Sequence, residues 1–238
     1  MEYISSQILG LIVCSALAMW FVTSLYLWEW IDPLSKSLGR NHPSVIQKRS
    51  VSVIISVVVA WIVTVRFVGV SIHLPQLDVG SLNKTAVQTV ALMLGPIAHI
   101  LLAQEPIESN PWILFRNLVL APIAEEIVFR ECFVRILHAS GFSRFQAGFV
   151  SPIIFAAAHL HHSWGRIPIS VSLMSVAHTC VFGWIASYFL IKRSVWDSIV
   201  SHAICNAIGL PNSNTTNTKL ILGTYLTGLA IFVASLLF

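Results

Sequence analysis

The chain has 238 residues, of which 56% are hydrophobic and only 10% charged, with a formal net charge of +4. A soluble domain carries about a quarter charged residues, so this composition excludes a soluble globular protein and predicts an integral-membrane one. The small positive balance is no nucleic-acid signal, because the basic residues form no stripe or patch apart from one loop.

Residues 3–28, 167–191 and 220–238 contain no charged side chain, and each run is long enough to cross ~30 Å of hydrocarbon as a helix. In chain order the pattern predicts eight spans: 4–28, 51–74, 86–103, 112–137, 145–160, 168–191, 195–210 and 220–238. The fifth and seventh are short, as expected of tilted, buried or partly spanning helices. Backbone groups in lipid must pair within the chain, and these runs are too long and too unalternating for barrel strands. The expected fold is therefore all-α, a polytopic transmembrane helical bundle of about eight helices, forming one domain over residues 1–238.

The start, Met1-Glu2-Tyr3, lacks the basic region of a cleavable signal, so the first run reads as a retained helix. Lys36, Arg40, Lys48 and Arg49 gather after it. The positive-inside rule places that loop in the cytosol and the N-terminus outside. Asn83-Lys84-Thr85 and Asn214-Thr215-Thr216 spell glycosylation sequons. With eight spans they fall on opposite sides, so at least one is silent. Cys14, Cys132, Cys180 and Cys205 lie within predicted spans without a CxxC pair, and read as small apolar packing residues. Pro211–Lys219, rich in Asn and Thr, reads as an exposed loop.

Against this apolar background, residues 121–130 stand apart: Ala-Pro-Ile-Ala-Glu-Glu-Ile-Val-Phe-Arg. An ionised side chain in the bilayer centre costs at least ~2.5–3.5 kcal/mol, so three within six residues point to an active site inside the membrane. Glu126 and Arg130 are four apart and can pair along a helix, with a forked contact expected between guanidinium and carboxylate. Glu125 is turned about 100° away from Glu126. It can face an apolar pocket as a general base.

Downstream, Phe155 precedes His159 by four residues, on the same helix face, and His161 and His162 follow at the expected interface. A neutral imidazole can bond a water that a carboxylate also holds. His202 and Asn206, again four apart, present two uncharged donors on one face, suited to an oxyanion hole or to interhelical hydrogen bonding. The zinc-hydrolase pattern His-Glu-x-x-His is absent, and the nucleotide-binding glycine loops are absent too, so nucleotide use is unsupported and no cofactor is expected. Buried Glu, Arg and His also make proton relays, which leaves a non-proteolytic or proton-coupled transporter or binding role as the alternative. No internal repeat supports that alternative.

Set in order, Glu-Glu-x-x-x-Arg, Phe-x-x-x-His and His-x-x-x-Asn resemble the CAAX protease and bacteriocin-processing family. Arg116-Asn117-Leu118-Val119-Leu120-Ala121-Pro122, His159-Leu160-His161-His162 and Cys205-Asn206-Ala207-Ile208-Gly209-Leu210-Pro211 are similar to its eukaryotic branch, the type II CAAX prenyl endopeptidases. The resemblance covers about 108–211, the expected catalytic core. It implies a glutamate-dependent intramembrane endopeptidase without a bound metal, multi-pass in the endoplasmic reticulum membrane. That enzyme would remove the C-terminal tripeptide from prenylated CAAX proteins such as small GTPases. Glu125 and His159 would activate the water, Glu126 and Arg130 position the site, and His202 and Asn206 receive the oxyanion. Two departures stand out: Glu131, a third acid that could compete for Arg130, and His178 in the sixth span.

Overall fold

The structure is a computed structural model describing residues 2–71, 73–104, 106–162, 169–209 and 218–236. Among the described residues it is helical, with no strand, as expected of a helical membrane protein. Among the described residues three helices are long and apolar enough to cross a bilayer alone: Ile4–Ile31, Pro43–Val68 and Ile169–Lys192. The helices are α1 Glu2–Ile31, α2 Pro33–Leu38, α3 Pro43–Val68, α4 Val79–Leu92, α5 Leu94–Ala103 and α6 Pro111–Phe115. They continue as α7 Ala121–Glu125, α8 Phe133–Ala139, α9 Arg144–Ala158, α10 Ile169–Lys192, α11 Val195–Ile208 and α12 Thr218–Ser235.

Local chemistry explains where these helices start and stop. Asp32 caps α2 by accepting from the Leu34 N–H. The α3 helix opens with His42 as cap and Pro43 in its first turn, and it closes on Gly69 in the left-handed region. A proline is tolerated in the first turn because its missing N–H has no helical partner there. The expected span 51–74 thus begins earlier, since Lys48 and Arg49 lie inside α3 paired with the carboxylates of Asp32 and Glu29. At the start of α9, Ser143 and Gln146 form a capping box.

Two expectations need correction. The span 86–103 is no straight helix but two, α4 and α5, bent by 55° at Met93. Pro96 lacks the N–H that would bond the Leu92 carbonyl, and its ring crowds that carbonyl, so a continuous helix cannot pass. The span 112–137 is helical throughout, but α6, α7 and α8 are joined by two wide π-helical turns, Arg116–Leu120 and Glu126–Cys132. Such turns insert a residue into the helix and concentrate at functional sites. The sequon Asn83–Thr85 lies within α4, with Thr85 fully buried. The second sequon, most of Pro211–Lys219 and the side chains of His161 and His162 fall outside the described residues.

The chain divides into two compact units, Met1–Pro75 with Ile123–Ser198, and Gln76–Pro122 with Ile199–Phe238. In the first, α1 packs on α3 and α8, and α9 packs on α10. Phe129 centres its core, with Phe21, Phe133 and Phe155 at ring distances of 5.4, 5.1 and 4.9 Å. In the second, α12 lies against α4 and α5. Close approach is allowed by Gly95, where an added Cβ would meet the Tyr225 ring at 2.3 Å, and by Gly228, where it would meet the Ala91 carbonyl oxygen at 2.4 Å.

Candidate active site

The π-helical turn Glu126–Cys132 is buried along its whole length. Ser151 on α9 donates its hydroxyl to the Phe129 carbonyl of that turn, so a polar contact locks the widened backbone to its neighbour. Within the turn, Glu126 and Arg130 are both fully buried and pair at 3.3 Å, Nε to Oε2. No guanidinium nitrogen of Arg130 makes a hydrogen bond among the described residues, so the forked contact expected is not formed. A wide turn carries more than 3.6 residues, which moves the fourth residue off the axis of its partner.

The guanidinium is held instead by aromatic faces. It lies 4.0 Å from the Phe155 ring centroid and 5.8 Å from that of Phe182. Its two terminal nitrogens make no hydrogen bond among the described residues, so cation–π attraction stabilises the charge where hydrogen bonds do not. Gly183 makes room for this arrangement. A Cβ there would come within 2.6 Å of the Pro152 Cβ and 3.1 Å of Arg130 Nη2.

Phe155 joins this pair to the imidazole. Its ring meets His159 edge-on at 4.3 Å, and its carbonyl lies 2.9 Å from His159 Nδ1. A carbonyl can only accept, so Nδ1 carries the proton and the ring's lone pair sits on Nε2. That is the tautomer able to accept a proton or a water hydrogen. Glu125 stands at the end of α7 and is half-buried, unlike Glu126 beside it. The first unit therefore brings together a dry Glu126–Arg130 pair, a more open carboxylate, and an imidazole of fixed tautomer. Spacing alone did not reveal Phe155 as the joint, nor Gly183 as the space for the guanidinium.

Glu131 does not compete for Arg130. It pairs with Arg135, one turn on, whose Nε donates to it at 2.7 Å. That i,i+4 partner was readable in the sequence. His178 lies on an exposed face of α10 with Nδ1 3.0 Å from the Met174 carbonyl.

His202 and Asn206 belong to the second unit, on α11. His202 is buried, and its neighbour Ser201 accepts a hydrogen bond of 3.0 Å from Thr89. Asn206 is exposed, and its Nδ2 donates to the Asn117 carbonyl at 2.9 Å. Asn117 lies in the π-helical turn Arg116–Leu120, and its side-chain oxygen accepts from Arg116 at 2.9 Å. One amide hydrogen of Asn206 is thereby fixed and the other is directed by it. In the sequence Asn117 stands only as a flank of the glutamates, with no sign of this role. The four cysteines form no disulfide among the described residues. Among the described residues no group of three His, Cys, Asp or Glu is placed to hold a metal ion.

Fold and site together define a polytopic helical membrane protein built around buried carboxylates and an imidazole. The family model for type II CAAX prenyl endopeptidase, Rce1-like, matches residues 107–208. The probable CAAX prenyl protease 2 of Schizosaccharomyces pombe is 31% identical over 237 residues, 89% of this chain and 87% of that protein. The CAAX prenyl protease 2 of Homo sapiens is 26% identical over 83% of this chain and 70% of its own length. That of Caenorhabditis elegans is 36% identical over a shorter stretch, 43% of this chain and 41% of its own. No solved structure matches. The chain belongs to the type II CAAX prenyl endopeptidase family, and it is a protease of the membrane.

Proposed function

We propose that the chain acts as a single membrane protease domain in the endoplasmic reticulum, removing the last three residues from prenylated CAAX proteins such as small GTPases. Water is the nucleophile. Glu125 takes one of its protons as the oxygen attacks the carbonyl carbon of the prenylated cysteine, and His159 Nε2 accepts the water's other hydrogen, aligning it. The carbonyl oxygen becomes an oxyanion, received by donors from His202 and Asn206. Collapse of this intermediate breaks the C–N bond, and the proton held by Glu125 passes to the leaving amine. The products are a C-terminal prenylcysteine carboxylate and a free tripeptide. Glu126 and Arg130 position the site through Phe155.

The observation that carries this reading is the contrast between neighbouring glutamates. Glu126 is sealed against Arg130. Glu125 is half-buried and lies in the same unit as an imidazole of the required tautomer. The test is purified protein in detergent with a fluorogenic farnesylated CAAX peptide, with and without chelator. Glu125→Gln is expected to lower turnover at least ~10³-fold with unchanged thermal stability, because an amide cannot take the water's proton. Turnover within a few-fold of the parent, or loss of the parent's activity to chelator, would overturn this chemistry.

A further inference from the structure

We infer that the first unit carries a binding site for one anionic phospholipid, away from the catalytic residues. The site has two joined parts. One is a pocket of about 450 Å³ at the end of the unit where α1 begins. There Gln7 near the start of α1 donates to the Gly141 carbonyl, and the Trp196 indole donates to the Pro75 carbonyl. Arg135, Arg144 and Arg193 line it with His73 and His138, against the single carboxylate of Glu131. Three arginines facing one acid leave the pocket cationic. The other part is a groove of about 380 Å³ between α9 and α10, lined by Phe145, Phe149, Trp184 and Tyr188, with Lys192 at its end. Ile191 lines both parts, and Arg144 precedes Phe145 on the same helix.

Arg144 argues for a bound anion. It is the first residue of α9, after the Ser143 cap. Helix dipoles disfavour a cation at that end, so the helix gains nothing from it. It is exposed and makes no ion pair among the described residues. Its neighbours in the pocket do have partners, Arg135 on Glu131 and Arg193 over the Phe189 ring at 5.2 Å. A phosphate would satisfy Arg144 and balance the remaining excess, since guanidinium groups match phosphate oxygens in pairs.

The groove selects a lipid over a free anion. Phe149 and Trp184 stack at 5.1 Å with planes 8° apart, and the indole donates to the Phe149 carbonyl at 3.1 Å, which makes a rigid aromatic wall. Phe145 is 78% exposed, so the wall opens outward to where acyl chains lie. From Trp184 to Ile191 α10 rises about 10 Å, enough to cover the upper part of one acyl chain. Aromatic side chains near basic ones at the end of a membrane helix suit the headgroup region.

The experiment titrates the purified full-length chain in neutral detergent with dioleoyl phosphatidylglycerol, dioleoyl phosphatidylcholine or inorganic phosphate. Native mass spectrometry counts retained lipid, and thermal unfolding reads stabilisation. One phosphatidylglycerol per chain is expected, with a rise in unfolding temperature that neither phosphatidylcholine nor phosphate gives. Arg144→Gln should weaken that affinity roughly fivefold and Arg144→Gln with Arg193→Gln roughly 25-fold, the scale of one surface cation each. Phe149→Ala should weaken lipid retention while leaving any phosphate response unchanged. Lys36→Gln with Arg40→Gln removes the same charge elsewhere and should change nothing. Equal weakening by that control pair would mean general attraction between a basic protein and acidic lipid, and the site would fall. Equal retention of both lipids, or full stabilisation by phosphate alone, would also overturn it.

Discussion

Two glutamate–arginine pairs sit five residues apart on one helical run, with the same spacing and the same residue types. Glu126–Arg130 is wholly buried with a nearest approach of 3.3 Å, its guanidinium close to the Phe155 and Phe182 rings. Glu131–Arg135 meets through two guanidinium nitrogens, and its arginine is 40% exposed at the mouth of a polar pocket. The i,i+4 rule predicts both equally. What separates them is the medium. In the dry pair each charge depends on the other and on aromatic faces; in the wet pair the carboxylate is also buried, but the arginine is open to solvent, which can stabilise the cation.

The comparison breaks most visibly at Arg130. Arg130→Ala strands a buried carboxylate, and loss of one partner from a buried pair costs about 3–5 kcal/mol. Thermal unfolding in detergent should show a large drop, with activity lost alongside it, because Phe155 and His159 lose the cation packed behind them. A variant that unfolds at the parent's temperature would mean that burial does not set the energetics of this pair.

Much of this contrast is legible in the sequence, and some of it is not. The helical membrane class follows from charge-free runs, and the order of the three motifs singles out Glu125, Glu126, Arg130 and His159. The π-helical turns are not legible, because a wide turn and an ordinary one share the same apolar pattern. A fork was expected and is not formed for that reason. The bend at Met93 has its cause in plain view, a glycine and a proline after it, but composition alone reads through the break. Gly183 looks like an ordinary packing residue, and Phe155 is legible as the partner of His159 but not as the ring against Arg130. Their roles depend on which helix lies opposite, which periodicity does not encode.

A smaller test enlarges the wall around the dry pair while keeping both charges. Gly183→Ala adds a methyl within 2.6 Å of the Pro152 Cβ and 3.1 Å of Arg130 Nη2. Overpacking of this kind costs about 1–3 kcal/mol. Turnover of the farnesylated peptide should fall while Gly183→Ala protein still folds, because the guanidinium is displaced from the Phe155 face. Unchanged turnover would show that catalysis tolerates a shifted Arg130.

The wet pair should respond weakly. Arg135→Ala removes a cation that is 40% exposed and leaves a buried carboxylate that lines a pocket roomy enough for water, so the loss should lie nearer the about 0–1 kcal/mol of an exposed pair than the about 3–5 kcal/mol of a dry one. The unfolding midpoint should move by no more than a few degrees and turnover should stay near the parent's. A loss as large as that of Arg130→Ala would mean that Glu131 is effectively as dry as Glu126, and the comparison would collapse.

The smallest effect belongs to a third pair, between distant segments at the opposite end of the first unit. Asp32, after α1, contacts Lys48 on α3 and also accepts from Ser35 at 2.9 Å. The hydrogen bond from Lys48, then that from Ser35, holds the Asp32 carboxyl below its ordinary value of 3.8. A carboxyl with a lowered folded-state value binds protons more readily when unfolded, so stability rises with pH across the interval between the two values. The contribution is complete above the ordinary value and disappears as pH falls through the lowered one. Asp32→Asn should therefore be slightly less stable than the parent at pH 7, and the gap should narrow through the acid limb below pH ~4. The check is a pair of unfolding curves in detergent at each pH. The α2 cap is kept in this variant, since an asparagine oxygen can still provide it, so a gap that stays constant into acid would assign the effect to altered hydrogen bonding and not to charge.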